Sequence, residues 1–122
     1  MIKNFYDLKV WQDAHEVILN IYKTTKLFPK DELFGLTSQM RRSSSSISAN
    51  IAEGFGRFHY KDKTRFYLQA RGSAAELQDQ LFLSQDLNYI KKEDARKLFS
   101  AVGIIIKELN GLIRKTGNNK NS

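Results

Sequence analysis

Few residues in this sequence could do chemistry: His15 and His59, a run of four serines from Ser43 to Ser46, and an Asn50/Glu53 pair flanked by arginines. His15 precedes Glu16, but no second histidine lies four residues on, so the zinc-protease pattern is absent. Neither histidine follows a carboxylate at the Glu-x-x-His spacing of a di-iron bundle, and the chain has no cysteine. No metal or other cofactor is expected. A serine nucleophile needs an activating base, and no histidine is obviously placed to serve Ser43–Ser46, whereas small residues inside a helix commonly serve close packing. Gly54-Phe55-Gly56 has the beginning of a dinucleotide fingerprint, yet it follows a helical pattern and not a strand, so helix termination accounts for both glycines. The chain is not expected to be an enzyme.

The stronger signal is charge. Arg41, Arg42, Arg57, Lys61, Lys63, Arg65 and Arg71 fall within one third of the chain, opposed there only by Glu53 and Asp62. Phe58, His59, Tyr60, Phe66 and Tyr67 are interleaved with them. Cations contact phosphates and aromatic faces stack on unpaired bases, so these seven basic residues are the candidate nucleic-acid-binding set, for RNA or DNA. The whole chain carries a net charge of +7, which favours an acidic partner. Asn50 and Glu53 sit among Ile47, Ile51 and Ala52, and two readings stay open: a solvated ion pair between Glu53 and Arg57, or a buried hydrogen-bond node that fixes helix register.

Four helices must position these groups. The first is predicted from about Asp7, as an N-cap, to about Leu27, stopped by Phe28-Pro29, with Leu8, Trp11, Ala14, Ile18, Ile21 and Tyr22 as its apolar face. The second opens at Asp31-Glu32 and ends around Gly54 to Gly56, carrying Leu33, Leu36, Met40, Ile47, Ile51 and Phe55 at helical spacing. The third runs from about Asp62 to Leu87, with Phe66, Ala70, Ala74, Leu77 and Leu81 as its stripe, widened by Tyr67, Phe82 and Leu83. The fourth opens at Lys92-Glu93-Asp94 and carries Leu98, Phe99, Val102, Ile105, Ile106, Leu109, Leu112 and Ile113. Short connections between helices of similar length predict an all-α fold, an antiparallel up-down-up-down four-helix bundle over residues 1–115. Residues 116–122 read as a disordered polar tail.

With 122 residues, 41% of them hydrophobic, the chain fits one domain with a real core. No apolar run approaches the roughly 18 residues needed to span a bilayer, so no membrane role is expected. The N-terminus lacks the layout of a secretory signal, and together with the missing cysteines this places the protein in the cytoplasm as an expectation.

The segment Ser46-Ile47-Ser48-Ala49-Asn50-Ile51-Ala52-Glu53-Gly54, with Phe5 to Gln12 upstream and Gly72-Ser73-Ala74-Ala75-Glu76-Leu77 downstream, resembles the bacterial four-helix-bundle family found in intervening sequences of 23S ribosomal RNA genes. The resemblance covers almost the whole domain and makes Ser46, Asn50, Glu53 and Gly54 the structural motif. The family usually has proline at the position of Ser48 and alanine at that of Ser43, so a proline-induced kink is not carried over. The resemblance implies an up-down bundle assembling as a homopentameric ring. It extends distantly to the accessory variability protein of diversity-generating retroelements, which associates with a reverse transcriptase and nucleic acid. The leading expectation is therefore a self-associating basic bundle that binds RNA or another nucleic acid as a homo-oligomer. The alternative is an adaptor for a protein partner, such as a reverse transcriptase, with no direct nucleic-acid role.

Overall fold

Pro29, the one proline, lies where the first helix has already stopped and the second has not begun. The structure, a computed structural model, describes residues 1–118. Its helices are α1 (Lys9–Thr25), α2 (Leu36–Gly56), α3 (Tyr60–Asp86) and α4 (Lys92–Gly117), with 3-10 turns at Phe5–Asp7 and Lys30–Glu32. Among the described residues there is no strand, and no helix is long and apolar enough to cross a membrane.

Two helix starts differ from the sequence expectation, because the acidic residues expected to open them lie in preceding 3-10 turns. Asp7 does not cap α1. Its Oδ2 accepts from the backbone N–H of Asn4 (2.9 Å) and Lys3 (3.1 Å), closing the preceding 3-10 turn and holding its carboxyl below the usual carboxylate range. Asp31-Glu32 likewise stays in a 3-10 turn, and α2 starts later, at Leu36. Glu32 still caps that helix, because its Oε1 accepts from Leu36 N–H at 3.1 Å while its Oε2 accepts from the Tyr89 hydroxyl at 2.9 Å. Gly35 makes room for this: a Cβ there would lie 2.6 Å from Glu32 Oε1.

Helix α3 ends on Asn88, at φ 64°, with Tyr89 N–H donating to Ser84 O (2.9 Å) and Asn88 N–H to Gln85 O (3.0 Å). This is a Schellman closure, in which asparagine tolerates the left-handed conformation usually given to glycine. Helix α4 continues beyond the expected boundary at 115, and Thr116 is buried, so the start of the expected tail is helical instead. Residues 119–122 of that tail lie outside the described residues.

Cross-helix pairs establish the antiparallel order. Between α2 and α3, Met40 meets Ser84, Ser43 meets Gln80, Ser46 meets Ser73 and Gly54 meets Tyr67, one number rising as the other falls. Thr64 pairs with Thr116 and Arg71 with Asn110 across α3 and α4, and Lys9 with Glu108 across α1 and α4. The helices form an up-down-up-down quartet in which α2 against α3 is the most extensive interface and α1 against α4 the lightest of the four lateral ones.

The core consists of Val10, Ala14, Val17 and Ile21 from α1, Leu36, Met40, Ile47 and Ile51 from α2, Tyr67, Ala70, Ala74, Leu77 and Leu81 from α3, and Ala95, Leu98, Val102, Ile105 and Leu109 from α4, with Phe28 and Ile90 from the connections. Burying each Ile or Leu contributes roughly 1.5–3 kcal/mol. In α1 the inward face is Val10, Val17 and Thr25 with Ala14 and Ile21, while Tyr22 is exposed and Ile18 half-buried. In α3 it is Tyr67, not Phe66, that enters the core. Burial pushes the Tyr67 phenol up to about 12. Phe82 and Leu83 remain exposed.

Candidate nucleic-acid interface

The second helix closes at Gly56, and the chain turns through an extended Arg57 and His59 before α3 starts at Tyr60. Phe58, between them, is 87% exposed and meets His59 edge-on at 5.1 Å between ring centroids. Lys63 then reaches back from the first turn of α3. Its Nζ donates to Phe55 O at 2.7 Å and Gly54 O at 3.4 Å, so a cation sits at the negative end of α2, where Gly54 O also accepts from the Arg57 N–H at 3.2 Å. Burial holds this amine below its ordinary lysine range.

Arg57 and Arg65 flank one ring. Their guanidinium carbons lie 4.7 and 4.8 Å from the Phe66 centroid, covering a ring that is half-buried while Tyr67 packs inward. Arg57 is 3.7 Å from Glu53 and Arg65 is 3.9 Å from Asp62, loose solvent-exposed pairs worth a few tenths of a kcal/mol to about 1 kcal/mol. The open question at Glu53 thus resolves toward the solvated pair. The node exists without it: Asn50 Nδ2 donates to Ser46 O (2.9 Å) and Oγ (3.0 Å), and Ser46 Oγ lies 2.9 Å from Ser73 Oγ on α3. Gly54 completes the motif by facing the Tyr67 ring, where an added Cβ would lie 2.7 Å from Cε1.

The seven basic candidates do not form one patch. Arg57, Lys61 and Arg65 share the end of the bundle where α2 meets α3, with Lys63 beneath them as a cap. Arg41 and Arg42 sit 16 and 15 residues earlier on α2, about 24 and 22 Å away along the axis. Arg41 is committed to packing: Nε donates to Thr25 Oγ1 at 2.9 Å, and its guanidinium lies 4.7 Å from the Tyr22 centroid. Arg42 is exposed beside a groove of about 440 Å³ lined by Tyr22, Leu33, Phe34, Ser38 and Ser45. Arg71 donates to Asn110 Oδ1 at 2.9 Å and faces the α3–α4 side.

Two cations were missed in the sequence. Arg114 and Lys115, both exposed in the last turn of α4, are brought to the Arg57 end because Thr64 Oγ1 donates to Thr116 Oγ1 at 2.8 Å. The available signal was the antiparallel topology itself, which sets the end of the fourth helix beside the start of the third. Five exposed basic residues, Arg57, Lys61, Arg65, Arg114 and Lys115, thus lie at the same end of the bundle as the exposed Phe58, residue types able to hold a polyanion and stack on a base.

A separate charged cluster joins α1 to α4. Lys9 Nζ lies 2.7 Å from Asp13 Oδ2 and 3.5 Å from Glu108 Oε2. Burial and the neighbouring Asp13 raise the Glu108 carboxyl, whose Oε1 is buried without a partner. At Asp13 burial acts in the same upward direction but is outweighed by the hydrogen bond from the Lys9 amine together with the neighbouring Glu108, which hold it low. The serine run serves packing: Ser43 and Ser44 are buried, Ser43 Oγ donates toward Gln80 Oε1 at 2.6 Å, and the hydroxyls of Ser44 and Ser45 bond carbonyls one turn back.

No curated protein matches this chain. Among solved structures it is similar to a protein of unknown function from the S23 ribosomal protein family of Bacteroides thetaiotaomicron. The two share 27% identity over 85% of this chain and 97% of that one, with a TM-score of 0.76. Residues 6–111, from the first 3-10 turn well into α4, match the family described as 23S rRNA-intervening sequence protein, and the chain belongs to that family.

Proposed function

We propose that this protein is a non-enzymatic, self-associating bundle of the cytoplasm that binds RNA, or another nucleic acid, through the cationic end where α2, α3 and α4 meet. The observation that carries the reading is Phe58, an aromatic ring 87% exposed between Arg57 and Lys61. An apolar ring left in water beside cations is the arrangement that stacks an unpaired base while phosphates are held. Membership of a family named for 23S rRNA intervening sequences supports an RNA partner. Self-association, as a pentameric ring on the family resemblance, is supported by Phe34, 92% exposed beside Leu33 and Tyr22 at the opposite end of the bundle. Repeating the cationic end around an axis raises its effective concentration on one extended polyanion.

The test is fluorescence anisotropy with a labelled structured RNA across a salt series. Affinity is expected to fall steeply with salt, and charge reversal at Arg57, Lys61 and Arg65 to reduce the log–log slope by about one for each phosphate no longer neutralised, with the helical circular dichroism unchanged. Salt-insensitive binding, or none at low salt, overturns the reading. The adaptor alternative is favoured by the same Phe34 surface, which suits a protein contact. Light scattering of the purified chain and its Phe34→Asp variant decides between them, since a monomer in both would assign that surface to a different protein.

A further inference from the structure

At the end of the bundle away from Phe58, the last turns of α1 and the first turns of α4 border a cleft of about 490 Å³. Its floor is Ile90, Leu98 and Ala101, and Leu27, 85% exposed, stands at its mouth. Lys23, Lys91 and Lys97 surround it, opposed by the single acid Asp94. Leu27 follows the last turn of α1, where the backbone has begun to leave the helix, and it covers no other apolar group completely enough to be hidden. The volume falls in the range of small-ligand pockets, roughly 300–1,000 Å³. An apolar floor under a positive rim matches a ligand that is itself divided, with a hydrocarbon part and one anionic head. Helix α4 also begins here, at Lys92 after Lys91, with no side chain capping its first N–H groups, so its positive end adds to the field of the lysines.

We propose that this α1–α4 cleft binds a small amphipathic carboxylate, its aliphatic chain on Leu27, Leu98 and Ala101 and its head among Lys23, Lys91 and Lys97. The site is separate from the cationic end and independent of nucleic-acid binding. The three lysines give the head several donors without requiring a fixed geometry, and the aliphatic floor carries the rest of the affinity. A ligand this small is held in the millimolar range.

The experiment is an NMR titration of the isotope-labelled full chain with sodium octanoate, and with 1-octanol as the uncharged control. Octanoate is expected to give saturable shifts centred on Thr24, Leu27, Leu98 and Ala101, with octanol at least about tenfold weaker. Ala101→Trp, which fills the floor, should abolish these shifts, and the exposed-rim variant Lys97→Glu should weaken octanoate about tenfold while leaving octanol unchanged. The proposal is overturned if octanoate gives no saturable shift, if octanol binds as tightly, if the shifts centre elsewhere, or if Lys97→Glu binds octanoate as the parent does.

Discussion

A methyl group added at Gly54 would lie 2.7 Å from Tyr67 Cε1 and 3.1 Å from Phe66 Cβ, and Tyr67 is 2% exposed, with nowhere to move. Helix propensity alone favours alanine over glycine by roughly 0.5–1 kcal/mol, but overpacking a filled contact costs roughly 1–3 kcal/mol, so sterics win. Gly54→Ala is expected to lose about 1–2 kcal/mol in urea denaturation. Gly72→Ala, where an added Cβ meets nothing within 4 Å, should gain about 0.5–1 kcal/mol in the same measurement. A second residue-scale expectation concerns Glu108, whose side chain is 22% exposed and whose folded-state carboxyl is raised above its ordinary value by burial and by Asp13. The folded protein therefore binds this proton more tightly than the unfolded chain does, and ionising Glu108 lowers stability as pH rises above the unfolded value. Glu108→Gln should raise the melting temperature at pH 7, with the advantage shrinking as pH falls through the raised folded-state value and gone once pH is below the ordinary glutamate range. A melting series from pH 3 to 8 checks it, and an advantage that grows toward acid would contradict it.

Among the elements, the end of α2 depends on a side chain from its neighbour. Lys63→Met removes the donor from Phe55 O and Gly54 O, and should cost about 1 kcal/mol and speed amide exchange around residues 54–57. It should leave RNA affinity nearly unchanged, since that charge is already used within the fold. Helix number and order were legible in the sequence because apolar spacing recurs over four long segments separated by Pro29, Gly56 and Asn88. Boundaries at Asp7 and Asp31-Glu32 were not, because a carboxylate closing a short 3-10 turn, as Asp7 does, or capping a helix from within the preceding turn, as Glu32 does, has the same composition as one that opens a long helix. The face of α1 was read partly out of register, since Trp11, Ile18 and Tyr22 are apolar enough to compete with Val10 and Val17, and only the neighbouring helices decide which set turns inward. Phe66 was read as core in place of Tyr67 for the same reason, whereas two guanidinium groups cover Phe66 half-buried beside the core.

For the whole molecule, the candidate interface was half legible. Local sequence brought Arg57, Lys61 and Arg65 together, but grouped with them Arg41, whose role is to hold α2 against α1, and omitted Arg114 and Lys115, which only the closed quartet delivers. If that end binds RNA as a unit, charge reversal at Arg114 and Lys115 should weaken binding as much per charge as reversal at Arg57 and Arg65, with the salt slope falling by about one for every phosphate released. Arg71→Glu, directed toward Asn110, should do less. Anisotropy over a salt series measures all three, and equal losses from every basic residue would point to diffuse attraction instead of a site.

The hydroxyl and amide pairs between α2 and α3 constrain how the bundle can breathe. Sliding either helix by one turn would break the Ser43–Gln80 and Ser46–Ser73 pairs and leave the buried Gln80 Oε1 without its donor, at on the order of 1–3 kcal/mol for that group. Those two helices therefore move as a single stiff leaf. Slow opening is directed to the opposite hinge, where the first and last helices lie against each other most lightly, and fluctuation there widens or narrows the lysine-rimmed cleft while the Phe58 end keeps its shape.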